Sequence, residues 1–435
     1  MFSPAVALAH DEAPGEGKGI DHAAEAEWGS VISGPVAGAT AGFSSSPNVE
    51  FRSQMPLNTI GGTTGVLGND IWGWTDPLDG KEYALFGRTD GTSFIDVTDP
   101  LNPVYLGNLP SENGGNTAWR DIKVYDNHAL IVADQLNSHG LQVFDLTQLR
   151  GGVSLDPFTT TASFSGFGRA HNIAVDEQSG FAYVVGANVA SGGLYIIDVS
   201  DPTTPTLAGT YSGDGYTHDA QAVTYHGPDT AHTGSEIVFA ANEDTLTIVD
   251  VTTKSSPSQL ARVGYPDEHY SHQGWLTEDH RYFLMNDEAD ELNIPGTNTR
   301  THVWDVADLD SPQYIGFHSG TLRTIDHNLY TRNGYLFEAN YTSGLRILEP
   351  TNLATASFTE VGFFDTYPAD NNVTFNGAWS VYPYFDSGTV IVSDRQNGLF
   401  VLHSNLAVPE PSTFVLVLLG VFSLVGVTRR RRRCR

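Results

Sequence analysis

Four histidines, His171, His218, His272 and His327, follow one another at intervals of 47, 54 and 55 residues. Each opens a short β-rich run: His171-Asn172-Ile173, His218-Asp219-Ala220, His272-Gln273-Gly274 and His327-Asn328-Leu329. A neutral imidazole offers one lone pair and one N–H, so it can ligate zinc or copper, shuttle a proton, or tie two chain segments together. Such spacing is far too long for a compact metal motif on one helix. The four rings can act together only if a repeated fold carries equivalent positions to one place. Three neighbouring repeats put Asn69, Arg120 and Asn376 at the same position, which would make a polar ring with a single cation. That ring has three open readings: histidines bonded to the next repeat's carboxylate or carbonyl, a transition-metal site with carboxylates behind it, or a seat for a polar or anionic ligand aided by Arg120.

A second candidate is the acidic string Asn286-Asp287-Glu288-Ala289-Asp290-Glu291. Asp287, Asp290 and Glu291 are hard oxygen donors of the kind calcium prefers. The string lacks the glycine and terminal glutamate of an EF-hand loop, which favours a solvated loop. Other chemistry has no footing. No GxSxG elbow, HExxH pair or GxxxxGK loop is present, and Cys434, the only cysteine, lies in the extreme tail. An enzyme is therefore the less favoured class.

The elements that position these residues repeat seven times. First-strand openings occur at Asn69, Arg120, His171, His218, His272, His327 and Asn376. The third strand of each unit is the clearest: Phe94-Ile95-Asp96-Val97, Val143-Phe144-Asp145-Leu146, Ile196-Ile197-Asp198-Val199, Ile248-Val249-Asp250-Val251 and Val303-Trp304-Asp305-Val306. Successive acidic ends at positions 96, 145, 198, 250, 305 and 349 lie 44 to 55 residues apart, the size of a four-stranded propeller blade. The recurrent aspartate is expected to cap the following turn through backbone N–H groups. Unit seven runs out near Leu406 with three strands, and residues 48 to 54 read like a fourth strand. The expected fold is all-β: a seven-bladed propeller of four-stranded blades over residues 47–406, closed by an N-terminal strand that completes the last blade. Trp72, Trp74, Trp119, Trp275, Trp304 and Trp379 are expected to pack between blades, although the alternation of Trp72 and Trp74 would also suit a glycan platform.

The chain has 435 residues, with 22 Lys and Arg against 51 Asp and Glu; without the six tail arginines the basic count falls to 16. So acidic a body repels nucleic acid and anionic lipid. Residues 1–9 end in Ala7-Leu8-Ala9, as at the end of a signal peptide, and residues 10–46 read as a flexible leader.

Residues 407–435 combine Pro409-Glu410-Pro411, the apolar run of residues 414–427 and Arg429 to Arg433. Fourteen residues span about 21 Å as a helix, against about 30 Å of hydrocarbon, and the arginines hold that end in the cytoplasm. This tail resembles the PEP-CTERM sorting signal of Gram-negative bacteria. The resemblance implies export, a transient inner-membrane anchor at residues 414–427, and an exosortase-type transpeptidase that recognises Pro409, Glu410 and Pro411. The body, with its IDVTDP, IIDVSDP and IVDVT segments, resembles LVIVD-repeat proteins of the choice-of-anchor B family, which implies a surface propeller and no particular reaction. The expected function is a binding or envelope-interaction module for an unknown surface protein or glycan. A metal-dependent enzyme using the histidine ring and an architectural matrix component are the alternatives. The cofactor expected, if any, is calcium, zinc or copper.

Overall fold

The computed structural model describes residues 42–152 and 156–406. Within them, 28 strands form seven four-stranded antiparallel sheets, and six of the seven use consecutive strands in chain order. The molecule is a seven-bladed β-propeller. Its innermost strands are Gly68–Thr75, Arg120–Tyr125, Asn172–Asp176, Asp219–Thr224, Ser271–Leu276, Asn328–Arg332 and Ala378–Tyr382. The seventh sheet departs from chain order: Val49–Met55 pairs with Gly398–Ser404, in the register Val49↔Ser404 to Met55↔Leu399. The N-terminal strand thus completes the last blade and closes the ring, one residue later than the expected span of 48 to 54. Residues 43–46, expected within the leader, pack on this blade. Phe43 meets Phe51, Phe364 and Phe400, and the Ser46 amide bonds the Phe363 carbonyl.

The blades are built from alternation that buries both faces. In the first four blades the third strand buries every side chain but the last, as in Leu194–Asp198 and Leu246–Asp250. That last residue is the recurrent aspartate. Asp96, Asp145, Asp198, Asp250 and Asp305 each accept the amide two residues on, at 2.8–3.0 Å, so each closes the expected turn. In five blades the ladder slips by one residue between the third and fourth strands, at Phe94/Ile95, Ile196/Ile197, Ile248/Val249, Val303/Trp304 and Ile347/Leu348. A bulge at a constant place gives each of these five blades the same extra twist.

Neighbouring blades are joined near the axis by side chains of the inner strands. Asp70 accepts the Ile122 amide, Asp121 that of Ile173, Gln221 that of Leu276, and Gln273 that of Leu329, at 2.7–3.2 Å. The six tryptophans are buried or packed, which removes the glycan platform. Trp72 packs edge-on to Tyr330 and Tyr382 with Lys123 over its ring, and Trp74 stacks on Tyr83.

Candidate metal centre at the axis

Each histidine of the set lies at the beginning of an inner strand, so all four gather at one end of the central channel. Successive ring centroids are 4.3, 4.3 and 4.4 Å apart from His171 through His218 and His272 to His327. They form an arc over four consecutive blades. The imidazoles are 3–7 % exposed, because an aromatic cluster of Trp119, Tyr270, Tyr341, Phe375 and Trp379 covers them. Tyr270 packs edge-on to His218, and Trp379 edge-on to His327.

The rest of the expected ring is not at this place. Arg120 turns into the seam between the first two blades, where its guanidinium bonds the Arg88 carbonyl, Ser111 and His139. A buried guanidinium takes the nearest carbonyl and hydroxyl rather than an open channel. Asn69 donates to the Ala118 carbonyl. Asn376 bonds Thr374 and Gln396. In the seventh blade the ring beside His327 is Trp379, three residues later in the chain. Gly377, at φ +96°, makes this shift possible: a Cβ there would stand 2.3 Å from the Tyr341 carbonyl oxygen.

Three of the imidazoles are oriented through Nδ1. His171 faces the Asp134 carboxylate at 3.1 Å, His218 the His272 carbonyl at 3.0 Å, and His327 the Trp379 carbonyl. A carbonyl can only accept, so His218 and His327 carry their proton on Nδ1 and present a lone pair at Nε2. Burial, only partly opposed by the bond to the Trp379 carbonyl, holds His327 down to about 3; burial and the neighbouring imidazoles hold His272 well below the usual histidine range. Both rings are therefore neutral. His272 Nε2 lies 3.5 Å from Glu288 Oε2, and His327 Nε2 lies 3.5 Å from Glu288 Oε1. The Tyr341 hydroxyl donates to Glu288 Oε1 at 2.8 Å.

Two neutral imidazoles thus converge on one carboxylate, His327 through a lone pair, and these three groups together could hold a cation. Donors with 2.0–2.1 Å bonds to a tetrahedral ion stand about 3.4 Å from one another, close to the observed separations. His327 has the arrangement of a zinc-type histidine, with a lone pair at Nε2 on the Glu288 side and Nδ1–H on a carbonyl. Glu288 is the residue that sequence reasoning passed over. It belongs to the acidic string expected to be solvated, and that expectation is corrected: Asp287, Glu288, Asp290 and Glu291 are 0–3 % exposed. The string follows the second strand of blade five, Tyr282–Asp287, and turns into a single-turn helix, Asp290–Asn293, under the blade-six loop. Its burial comes from packing between blades, which no local pattern reports.

Nor does the trio Asp287, Asp290 and Glu291 come together. Asp287 accepts from the Tyr265 hydroxyl and from the amides of His269, Tyr270 and Ala289, at 2.7–3.2 Å. Its place beside Asp290 and Glu291 is taken by Asp326, with donor atoms of the three within 4.8 Å of one another. Deeper in the channel, Lys123 pairs with Asp121 at 2.6 Å. Burial drives Asp219 up to about 7, and Asp70 well above the carboxylate range.

Family models match in two regions. Residues 167–213 and 238–264 match the LVIVD repeat, and residues 407–433 match the PEP-CTERM protein-sorting motif. The chain carries LVIVD repeats and a sorting signal toward the cell surface that implies processing by an exosortase-type system; these matches do not extend to the choice-of-anchor B name. Pro409, Glu410, Pro411 and the apolar run of residues 414–427 lie outside the described residues, as do residues 1–9, expected to end a signal peptide. Among the described residues, no helix is long and apolar enough to cross a membrane. No curated protein sequence matches the chain. Similar solved structures include the β-propeller domain of Cps50 (Swd1) from Myceliophteria thermophila, at 11% identity over 74% of this chain and 92% of that one, with a TM-score of 0.47. A protein from Lactobacillus plantarum is similar at 14% identity over 76% and 88%, TM-score 0.47. A functionally unknown protein from Desulfotomaculum acetoxidans is similar at 12% identity over 71% and 88%, TM-score 0.49.

Proposed function

We propose that this surface-sorted propeller is a binding module that holds one divalent transition-metal ion at its axis, between His272, Glu288 and His327. The observation that carries the reading is the pair of 3.5 Å approaches of two neutral imidazoles to one buried carboxylate. Imidazole with a single carboxylate suits zinc or copper better than calcium. The ion would bind the four-blade arc to the blade-five loop and stiffen the end of the channel, and the surface around it would meet a surface protein or glycan.

One observation favours the enzyme reading as second. Three protein donors leave a tetrahedral position free, as catalytic zinc sites do. Against it stands the aromatic cover of Trp119, Tyr270, Tyr341, Phe375 and Trp379, which leaves a substrate no evident approach to that position.

The test is metal analysis of the full chain as purified and after dialysis against zinc or copper. One ion per chain is expected, with loss in His272→Ala and Glu288→Gln and retention in His139→Gln, whose imidazole lies in a different seam. A wild-type chain that takes up no transition metal under either condition overturns the reading.

A further inference from the structure

We infer that Asp290, Glu291 and Asp326 form a second ion site, for calcium, beside the axial one. The three side chains are 0, 0 and 2 % exposed. Both oxygens of Asp290, both of Glu291 and Oδ1 of Asp326 are buried without a hydrogen-bond partner. Asp326 Oδ2 alone is served, by the Arg300 amide at 2.8 Å. Burying a carboxylate without donors is unfavourable, and packing like charges together adds to the cost. Asp287, three residues before Asp290, makes the contrast within the same loop. The fold surrounds that carboxylate with four donors and leaves its two neighbours with none.

The nearby cations do not fill the gap. Arg300 Nε stands 3.4 Å from Asp290 Oδ2, an ion pair without a hydrogen bond, while its guanidinium lies over the Phe317 ring. Arg323 bonds the backbone carbonyl of Glu291 rather than its side chain. Asp326 comes from the loop before blade six, so its orphan oxygen reaches the pair from a different segment. An all-oxygen, all-carboxylate donor set is the choice of a hard cation, and its irregular spacing along the chain suits calcium better than magnesium, which demands near-octahedral geometry.

The two sites draw on the same two stretches of chain. Glu288 precedes Asp290 by two residues, and Asp326 is joined directly to His327. Calcium at the carboxylates would fix both stretches and so prepare Glu288 and His327 for the axial ion. This coupling rests on the transition-metal reading; the calcium site itself does not.

The experiment uses the full chain stripped with a chelator and titrated with calcium chloride, then with terbium as a luminescent probe. One calcium per chain and a rise in melting temperature of about 5 °C at millimolar calcium are expected. Asp326→Asn and Glu291→Gln should remain folded without calcium, melt no lower than the stripped wild type, and lose both the calcium-dependent rise and terbium binding. Calcium should raise zinc affinity about tenfold in wild type and leave it unchanged in Asp326→Asn. No calcium-dependent rise and no terbium signal in the stripped wild type would overturn the site and leave protons shared among the carboxylates. Calcium binding without any zinc uptake would keep this site and remove the axial reading; calcium binding with zinc affinity unmoved would remove the coupling alone.

Discussion

His139 is buried between Arg120, 3.2 Å from Nε2, and the Gly140 carbonyl, 3.0 Å from Nδ1. Only a neutral ring suits both neighbours, with Nδ1–H donating to the carbonyl and Nε2 accepting from the guanidinium. Burial, with the Arg120 charge added, pushes its pKa down to about 3. A histidine depressed in the folded chain gives stability that is present above its unfolded pKa of about 6.5 and is lost as pH falls toward 3. Between pH 6.5 and 5 this residue alone should cost about 2 kcal/mol. His139→Gln keeps an acceptor for Arg120 and a donor for Gly140, so its melting temperature should fall less steeply over that window than that of wild type. Parallel profiles would show that another group drives the acid loss. The axial histidines were legible for a similar reason of position: a repeat carries equivalent residues to equivalent places. Glu288 was not, because two of its partners, His327 and Tyr341, come from the next blade. The cover of Trp119, Tyr270, Tyr341 and Trp379 was equally hidden, since it assembles four separate segments across the axis.

The strand-end aspartates were readable as elements because both their cause and their effect are local. Asp198 accepts the Ser200 amide at 3.0 Å and its hydroxyl at 2.6 Å, within three residues of chain. Asp198→Ala should destabilise the propeller by about 1 kcal/mol in urea unfolding, and Asp198→Asn, which keeps an acceptor, by less. Equal losses would mean that charge rather than the turn bond matters. The seventh blade was harder to register. Its opening Asn376-Gly377-Ala378 fits the pattern of the others, yet the chain bulges between Ala378 and Ser380 and brings Trp379 to His327. A glycine that allows a positive φ looks, in sequence, like any other turn glycine. The acidic string shows the opposite failure: its polarity suggests solvent, while its role is to sit under the loop of blade six.

Closure and polarity belong to the whole molecule. Val49–Met55 supplies an outer strand that no other segment replaces, with Val49 buried and Phe51 stacked 5.8 Å from Phe364. Deleting residues 47–56 should cost on the order of 5 kcal/mol and expose the edge of Gly398–Ser404; an unchanged melting temperature would mean that three strands suffice in the last blade. That blade also sets how the molecule faces its surroundings. Inner strands begin at the end of the channel where the imidazole arc lies, and three strands later the chain leaves at Ser404, paired with Val49, at the opposite end. The sorting tail follows in sequence, so if the tail holds the chain at a membrane the arc is expected to face away from it. Asp386, on an exposed inter-strand turn of blade seven, lies at the tail end, and Glu268, in the loop leading into blade five, lies at the arc end. With Cys434 changed to serine, Glu268→Cys in membrane-held protein should react faster with a bulky impermeant maleimide than Asp386→Cys does. Removing residues 407–435 should bring the two rates together. Equal rates while the tail is present would mean that the linker is long enough to let the propeller tumble, and the face bearing the arc would then have no preferred direction.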